Sequence, residues 1–290
     1  MTDDDLLLRP TLLDAARRLT SSGVTAPRTD AELLAAFVLG VSRGRLLLVD
    51  AFTPAQRAAF EDLIGARARR VPLQHLIGSV AFGDVDVLVG PGAFVPRPET
   101  ELLVAWGLER DLPPAPVAVD LCSGTGAIAL AVAHALPAAH VSAVEQDPNA
   151  LDWLRRNVSA RASAGDRQIE VIVGDVTDPA TTQDLDDRVD LLLCNPPYLP
   201  DGTPLEPEVA AYDPAPALFG GPDGLDLIRP VVMRAGAVLR THGWVGIEHD
   251  VTHRHAVADL FAGTGVFSDI EVHEDLTRRP RFTTARRAPR

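Results

Sequence analysis

Apolar positions follow two different rhythms along the chain. Up to about residue 70 they recur at helical spacing, and beyond about residue 115 short apolar runs alternate with longer Ala- and Leu-rich stretches. In the first part, Leu6, Leu7, Leu12, Leu13, Ala16 and Leu19 form a helical stripe that Ser21-Ser22-Gly23 ends. Thr29 or Asp30 is placed to cap a second helix through Leu33, Leu34, Phe37, Val38 and Leu39, closed by Gly40. A short segment over 42–49 follows. Thr53-Pro54-Ala55-Gln56 then combines a cap, a proline at the first helical position and a capping-box glutamine. That helix runs through Phe60, Leu63 and Ile64 to Arg67, Arg69 and Arg70, where cations suit the carboxyl end of the dipole. The spacing predicts a small helical bundle over 1–71, either a substrate-docking module or a stability cap, with docking the favoured reading.

Residues 72–98 change character and predict a β-hairpin linker. Val80-Ala81-Phe82 and Val85-Asp86-Val87-Leu88-Val89 flank a Gly83-Asp84 turn, and Pro91-Gly92 closes the unit. Pro96 and Pro98 hold Arg97 extended, as a solvated linker charge or as an arginine aimed into a cleft between domains. From Thr100 a helix continues through Leu102, Leu103, Ala105, Trp106 and Leu108. Strand and helix then alternate. Strands are expected over 117–121, 141–144, 169–173, 190–194 and 244–248, with helices over 127–136, 148–162 and 225–239. Two closing strands, 268–273 and 282–285, precede a basic tail over 285–290 that reads as frayed. This alternation predicts an α/β domain over 99–290 built on a mostly parallel sheet.

Composition narrows the class. The 290 residues are 46% hydrophobic and 23% charged, ordinary for a soluble globular chain large enough for two domains. A formal net charge of −13 argues against a broad nucleic-acid footprint. Cys122 and Cys194 are the only cysteines, without metal-ligand spacing, and are expected to be two reduced, buried thiols. His249, His253 and His255 lack acid partners at metal spacing and are assigned to solvent or a helix end, so no metal is expected. The acidic Asp3-Asp4-Asp5 start has no leader pattern, and no apolar run is long enough to span a bilayer, so the expected compartment is the cytoplasm.

The candidate chemistry lies at strand ends. The run Asp190-Leu191-Leu192-Leu193-Cys194 is stopped by Pro196 and Pro197, which presents Asn195 where open α/β sheets keep their ligands. In Asn195-Pro196-Pro197-Tyr198 a side-chain oxygen and a rigid carbonyl can each accept one N–H of a planar NH2 group, and Tyr198 can cover its plane. The group held is an amide or a ring amine. Upstream, Cys122-Ser123-Gly124-Thr125-Gly126 is a Gly-rich turn between strand and helix, and Glu145 ends the next strand where a carboxylate holds ribose hydroxyls. The three-glycine dinucleotide fingerprint and a phosphate-binding Lys-Ser/Thr are both absent. A nucleoside with an amino-acid tail, S-adenosylmethionine, fits better than a pyrophosphate. Asp175, after the third strand, is placed to accept from the adenine amine or to cap a helix. The Pro/Gly-rich acidic loop over 199–224 borders a substrate channel, with Glu206, Glu208 and Tyr212 as contacts, or is a mobile insertion.

These motifs, Asp120-Leu121-Cys122-Ser123-Gly124-Thr125-Gly126, Glu145, Gly174-Asp175 and Asn195-Pro196-Pro197-Tyr198, lie in the order seen in Rossmann-like class I methyltransferases. With Phe94-Val95-Pro96-Arg97-Pro98-Glu99-Thr100, the helical start and Arg278-Arg279-Pro280-Arg281-Phe282-Thr283-Thr284-Ala285, the whole chain resembles the HemK/PrmC family of protein-glutamine N5-methyltransferases. The resemblance implies a seven-stranded, mostly parallel sheet behind a small helical domain, joined by the hairpin. It also implies S-adenosylmethionine as methyl donor, S-adenosylhomocysteine as product, and the Gly-Gly-Gln loop of peptide-chain release factors as substrate. By the same resemblance residues 122–126 line the methionine side of the cofactor and Glu145 its ribose. Asn195, Pro196, Pro197 and Tyr198 hold the substrate glutamine, and Asn195 also lies near the cofactor. Cys122 and Ser123 stand where relatives often have Gly or Thr, a change of little expected consequence. Val176 stands where relatives often carry an aromatic residue, beside the adenine but without a ring to stack. A monomer without membrane or direct nucleic-acid contacts is expected. The alternative is an adenine-N6 nucleic-acid methyltransferase, which shares Asn-Pro-Pro-Tyr but needs a basic recognition segment.

Overall fold

The computed structural model of the protein describes residues 6–289, so the Asp3-Asp4-Asp5 start and Arg290 lie outside the described residues. The first elements are the helices α1 (Leu8–Ser21), α2 (Pro27–Leu39), α3 (Pro54–Ala68) and α4 (Leu73–Ile77). The hairpin strands β1 (Ser79–Phe82) and β2 (Val85–Leu88) and helix α5 (Pro98–Leu108) follow. The alternating part runs β3 (Val117–Leu121), α6 (Ala127–Ala135), β4 (His140–Glu145), α7 (Pro148–Ser163), β5 (Glu170–Val173) and β6 (Val189–Cys194). The rest is α8 (Pro207–Tyr212), α9 (Ile228–Val238), β7 (Leu239–Glu248), α10 (Arg254–Gly263), β8 (Phe267–Glu274) and β9 (Pro280–Arg287). The chain forms two compact units, Met1–Ser79 with Leu205–Tyr212, and Val80–Pro204 with Asp213–Arg290.

In the first unit α1, α2 and α3 close over Leu8, Leu19, Leu34, Phe60 and Ile64. Thr53 makes both bonds of the capping box with Gln56 that opens α3. Neither Thr29 nor Asp30 caps α2, which starts instead at Pro27. Asp30 is buried and accepts a 2.7 Å bond from Arg67 Nε, because the bundle turns it inward against α3. The arginines at the end of α3 do more than complement its dipole. Arg67 Nη2 donates to Glu208 Oε1 at 2.9 Å, Arg70 Nε donates to the same oxygen at 2.7 Å, and Arg70 Nη2 also bonds Oε2. Helix α8 thus belongs to the helical unit although it lies within the 199–224 loop. Of the three residues expected at a substrate channel, Glu208 is consumed by this clamp and Tyr212 meets the His75 ring edge-on at 6.3 Å. Glu206, with its side chain 77% exposed, lies 4.0 Å from Arg70 Nη2 at the edge of the same cluster.

Burial works to raise the Glu208 pKa, but the bonds from Arg70 and Arg67 outweigh it and draw it down to about 2. A carboxylate with a lowered folded pKa stabilises fully above its ordinary value of 4.5 and loses that contribution as pH falls toward about 2. Glu208→Gln is therefore expected to cost about 2 kcal/mol at pH 7, the scale of a hydrogen bond to a charged group, and much less at pH 2.5. Urea unfolding at the two pH values checks this, and an equal deficit at both would remove the carboxylate as its source.

The second unit carries a seven-stranded sheet in the order β5-β4-β3-β6-β7-β9-β8. All pairings up to β7 are parallel, and β9 is antiparallel to both β7 and β8. One apolar layer, with Leu103, Ile128, Leu154 and Leu191, covers one face, and another with Leu192, Ile228, Val245 and Phe261 covers the other. Strand β3 sits between β4 and β6, so successive connections leave it in opposite directions. In open α/β sheets such a reversal marks where ligands bind, here at the carboxyl ends of β3 and β6.

The hairpin is part of this unit's core. Phe82, Val85 and Val87 are buried with residues of α6 and α7, while α4 stays with the helical unit. Asn157, fully buried in α7, accepts from Leu88 N–H at 2.7 Å and donates to the carbonyls of Leu88 and Thr125 at 3.0 Å each. One side chain thus ties the hairpin to the Gly-rich turn.

Strands β7 and β9 are longer than the sequence expectation, and the helix expected from 225 starts at Ile228. Strand β7 starts at Leu239, because the register slips between Val189 and Leu191 and a bulge with His242 at φ 69° absorbs the polar Arg240-Thr241-His242 run. Strand β9 runs through Arg287, so the basic end is not frayed there. Ala285 is fully buried, Arg287 is buried, and Ala288 N–H bonds the Val266 carbonyl.

Candidate active site

The register of β3 against β6 pairs Leu121 with Cys194, so Cys122 and Asn195 leave adjacent strands side by side. Both thiols are free, Cys194 buried and Cys122 half-buried. Burial and then the neighbouring Cys122 thiol raise the Cys194 pKa. Cys122 has φ 58°, a left-handed conformation that costs a residue with a Cβ about 1 kcal/mol or more. The departure from Gly here is therefore not without consequence, as had been expected, because the turn uses a glycine-like backbone.

Glu145 organises that turn. Its Oε2 accepts from Gly124 N–H at 2.7 Å, and its Oε1 accepts from Gln146 and Asp147 N–H at 2.8 Å each. With four lone-pair positions on a carboxylate, one on Oε2 stays open. Ser123 bonds the Asp120 carbonyl at 2.9 Å, and Thr125 is buried. The two glycines serve different ends. A Cβ on Gly126 would lie 2.4 Å from Leu154 Cδ1, whereas one on Gly124 would meet nothing within 4 Å. Gly126 is there for packing, and Gly124 faces open space. Behind the turn Asp120 is buried, with Oδ2 bonded to Ala129 N–H at 3.2 Å and Oδ1 without a hydrogen-bond partner. Burial pushes its pKa up to about 8.

At the end of β5, Asp175 does not cap a helix. Its Oδ1 accepts from Thr177 N–H at 2.8 Å, and Asp178 caps the following 3-10 turn. Asp175 Oδ2 accepts no hydrogen bond among the described residues. Val176 is buried in the core layer beside Val119 and Val144.

Around Asn195-Pro196-Pro197-Tyr198 the structure adds two side chains that the sequence reading missed. Asn195 Nδ2 donates to Thr100 Oγ1 at 3.1 Å, and Thr100 donates to Glu248 Oε2 at 2.7 Å. Tyr198 Oη donates to Glu248 Oε1 at 3.0 Å. Thr100 lies in the first turn of α5, and Glu248 ends β7. Burial pushes Glu248 up to about 7, against the opposing bonds from Thr100 and Tyr198. Burial and then the Glu248 charge push the Tyr198 phenol well above its ordinary range. One signal was available for Glu248: an acid closing the apolar run Val245-Gly246-Ile247, as Glu145 closes its own strand. Pro196 and Pro197 are buried. Close approach of Gly220 to the Pro197 carbonyl and of Gly224 to the Tyr198 carbonyl folds the 199–224 loop back on the motif.

Arg97 is not a free linker charge. It pairs with Asp213 and stacks its guanidinium 4.9 Å over the Phe94 ring. Burial raises the Asp213 pKa against the pull of Arg97. His249 is buried at the end of β7, bonded to the Asp250 carbonyl at 2.9 Å and Thr283 Oγ1 at 2.8 Å, against the expectation, whereas His253 lies at the N-terminal end of α10 and His255 is exposed, as expected. Among the described residues no group of His, Cys, Asp and Glu is arranged to hold a metal ion, and no helix is long and apolar enough to cross a membrane.

Residues 11–78 match the family model of the PrmC N-terminal domain, and residues 99–209 match the methyltransferase small domain. A release factor glutamine methyltransferase of Mycolicibacterium smegmatis is 50% identical over 283 residues, covering 98% of this chain and 99% of the relative. The chain belongs to the HemK/PrmC family. A release factor glutamine methyltransferase of Corynebacterium glutamicum is 43% identical over 97% of this chain and 99% of its own. Such full-length agreement within the HemK/PrmC family makes the chain a methyltransferase and does not favour the adenine-N6 alternative. Among solved structures, a methyltransferase from Pyrococcus furiosus superposes with a TM-score of 0.51 at 15% identity, covering 72% of this chain and 92% of that one. That likeness shows the Rossmann-like fold.

Proposed function

We propose that this protein uses S-adenosylmethionine to methylate the side-chain nitrogen of the glutamine in the Gly-Gly-Gln loop of peptide-chain release factors, thereby modulating translation termination. The observation that carries the reading is the pairing of Leu121 with Cys194, which sets the Gly-rich turn beside the Asn-Pro-Pro-Tyr exit. A donor turn and an amide clamp are then one strand spacing apart.

The residues present fit the cofactor. Gly124 leaves room for close approach, Glu145 keeps one acceptor for a ribose hydroxyl, and Asp175 Oδ2 is open to the adenine amine. Val176 acts through packing under that end of the site rather than through a face. When bound, the group supplies a methyl carbon made electrophilic by its positively charged sulfur. Asn195 Oδ1 and the Pro196 carbonyl take the two N–H bonds of the glutamine, and Tyr198 covers the amide plane. So held, the nitrogen would be presented to the donor's methyl group, and its extra proton, acidic only once the methyl is gained, would leave to water, so no side chain need act as a strong base. Positioning of this kind supplies roughly 7–11 kcal/mol of the barrier. Pro197 and Arg97 shape the site without touching the reacting atoms, Pro197 by stiffening the exit and Arg97 by anchoring Asp213 of the loop. The helical unit is the docking module, and the protein acts as a cytoplasmic monomer on a protein substrate without binding nucleic acid directly.

The test is methyl transfer from labelled S-adenosylmethionine to a release factor and, separately, to duplex DNA, with the modified residue located by mass spectrometry. Methyl on the Gly-Gly-Gln glutamine is the expected result. Label on adenine would overturn the substrate while leaving the fold untouched.

A further inference from the structure

We propose that Glu248 is a positioning residue that fixes which way the Asn195 amide faces, through the relay Asn195 Nδ2–H to Thr100 Oγ1–H to Glu248 Oε2. This rests on the reading that Asn195 accepts from a substrate amide. A hydroxyl has one proton, so its direction is decided by whichever neighbour cannot donate. A glutamate carboxylate only accepts. Thr100 must therefore give its proton to Oε2, and Tyr198 must give its own to Oε1. The lone pairs left on Thr100 Oγ1 then face Asn195, 3.1 Å away, and select the NH2 end of its amide. The Asn195 carbonyl is left facing away from Thr100, as an acceptor for the substrate NH2.

Protonation of Glu248 reverses the logic. A carboxylic acid donates one bond, and with that proton on Oε2 it donates to Thr100, whose own proton then turns toward Asn195, so that the flipped amide would present NH2 to NH2. The groups facing Glu248 are Tyr198 and Cys194 from the β6 exit, Thr100 and Glu99 from α5, and Arg281 from β9. Burial is the largest influence among them and brings the titration to about pH 7, with Arg281 pulling down and Glu99 pushing up. The sign follows directly. Activity requires the deprotonated form, so kcat is full above this value and falls as pH drops through it.

The expected results are as follows. Glu248→Gln and Thr100→Val lower kcat about tenfold to thirtyfold, less than loss of a direct contact, and leave KM for S-adenosylmethionine unchanged. Thr100→Ser, which keeps the hydroxyl, restores wild-type turnover. The acidic limb of kcat near pH 7 disappears in Glu248→Gln. Turnover is paired with nuclear magnetic resonance of the Asn195 carboxamide, assigned by its loss in Asn195→Ala. Its two NH2 protons should titrate near pH 7 in the wild type and not in Glu248→Gln. Circular dichroism identifies a misfolded variant, in which case Thr100→Val and the wild-type titration still decide. A wild type that titrates but transfers no methyl to the release factor overturns the substrate reading and leaves the relay standing. Wild-type kinetics in both variants, with a carboxamide indifferent to pH, overturn the relay alone.

Discussion

Asn195→Ala is expected to lower kcat for release-factor methylation by about 10²–10³-fold while the protein stays folded. The magnitude is that of removing one oriented hydrogen bond from a preorganised site. Asn195 is half-buried, and its side chain bonds only Thr100 among the described residues, so its loss leaves the sheet and both core layers intact. KM for the protein substrate should move little under the proposed clamp, in which Asn195 contacts only the reacting amide. Single-turnover kinetics on the purified variant measure the effect. Near-wild-type turnover would show that the amide is held by something other than Asn195.

The largest stability effect is expected at Gly224. Its φ is +72°, and a Cβ there would stand 2.3 Å from the Tyr198 carbonyl oxygen and 2.7 Å from His253 Cε1. The first neighbour is backbone and the second is a buried ring, so neither moves aside cheaply. A left-handed residue with a Cβ costs about 1–2 kcal/mol and overpacking about 1–3 kcal/mol, so Gly224→Ala should lose about 3 kcal/mol. For a unit of this size that lowers Tm by about 6–12 °C. Activity should fall as well, since the strain falls on Tyr198. Gly202→Ala provides the comparison: φ is +80° but nothing lies within 4 Å of its Cβ, so it bears only the conformational cost of about 1 kcal/mol. Equal Tm losses for the two variants would mean that the crowding at Gly224 is harmless.

Much of the sheet was legible because parallel strands buried on both faces carry their signal locally, as Asp190 to Cys194 do. The strand ends, the Gly-rich turn and the Asn-Pro-Pro-Tyr exit fall where the apolar runs stop. The relay was not legible, since Thr100 and Glu248 reach Asn195 only after β7 settles beside β6 and α5 packs over them. In the sequence Thr100 is one more helix-opening threonine. The same holds for Asp30 and Glu208, whose nearest guanidinium partners are set by tertiary packing rather than by spacing. Polar residues also misled at β7, where a bulge lets Arg240-Thr241-His242 stay in a strand, and at His249, whose burial is compensated by two hydrogen bonds.

The assignment of α8 to the helical unit bears on how this enzyme can be divided and inherited. That unit is continuous in sequence only up to Ser79, and its last piece, Leu205–Tyr212, is encoded in the middle of the methyltransferase. Cutting the gene after residue 79 would leave Arg67 and Arg70 facing an absent carboxylate, and grafting a foreign helical unit would strand Glu208 without its arginines. The helical unit is consequently not a cassette that one cut in the gene can move: a substitution at Glu208 calls for a matching change at Arg67 and Arg70, about 140 residues earlier in the same unit, so these two separated stretches must vary together.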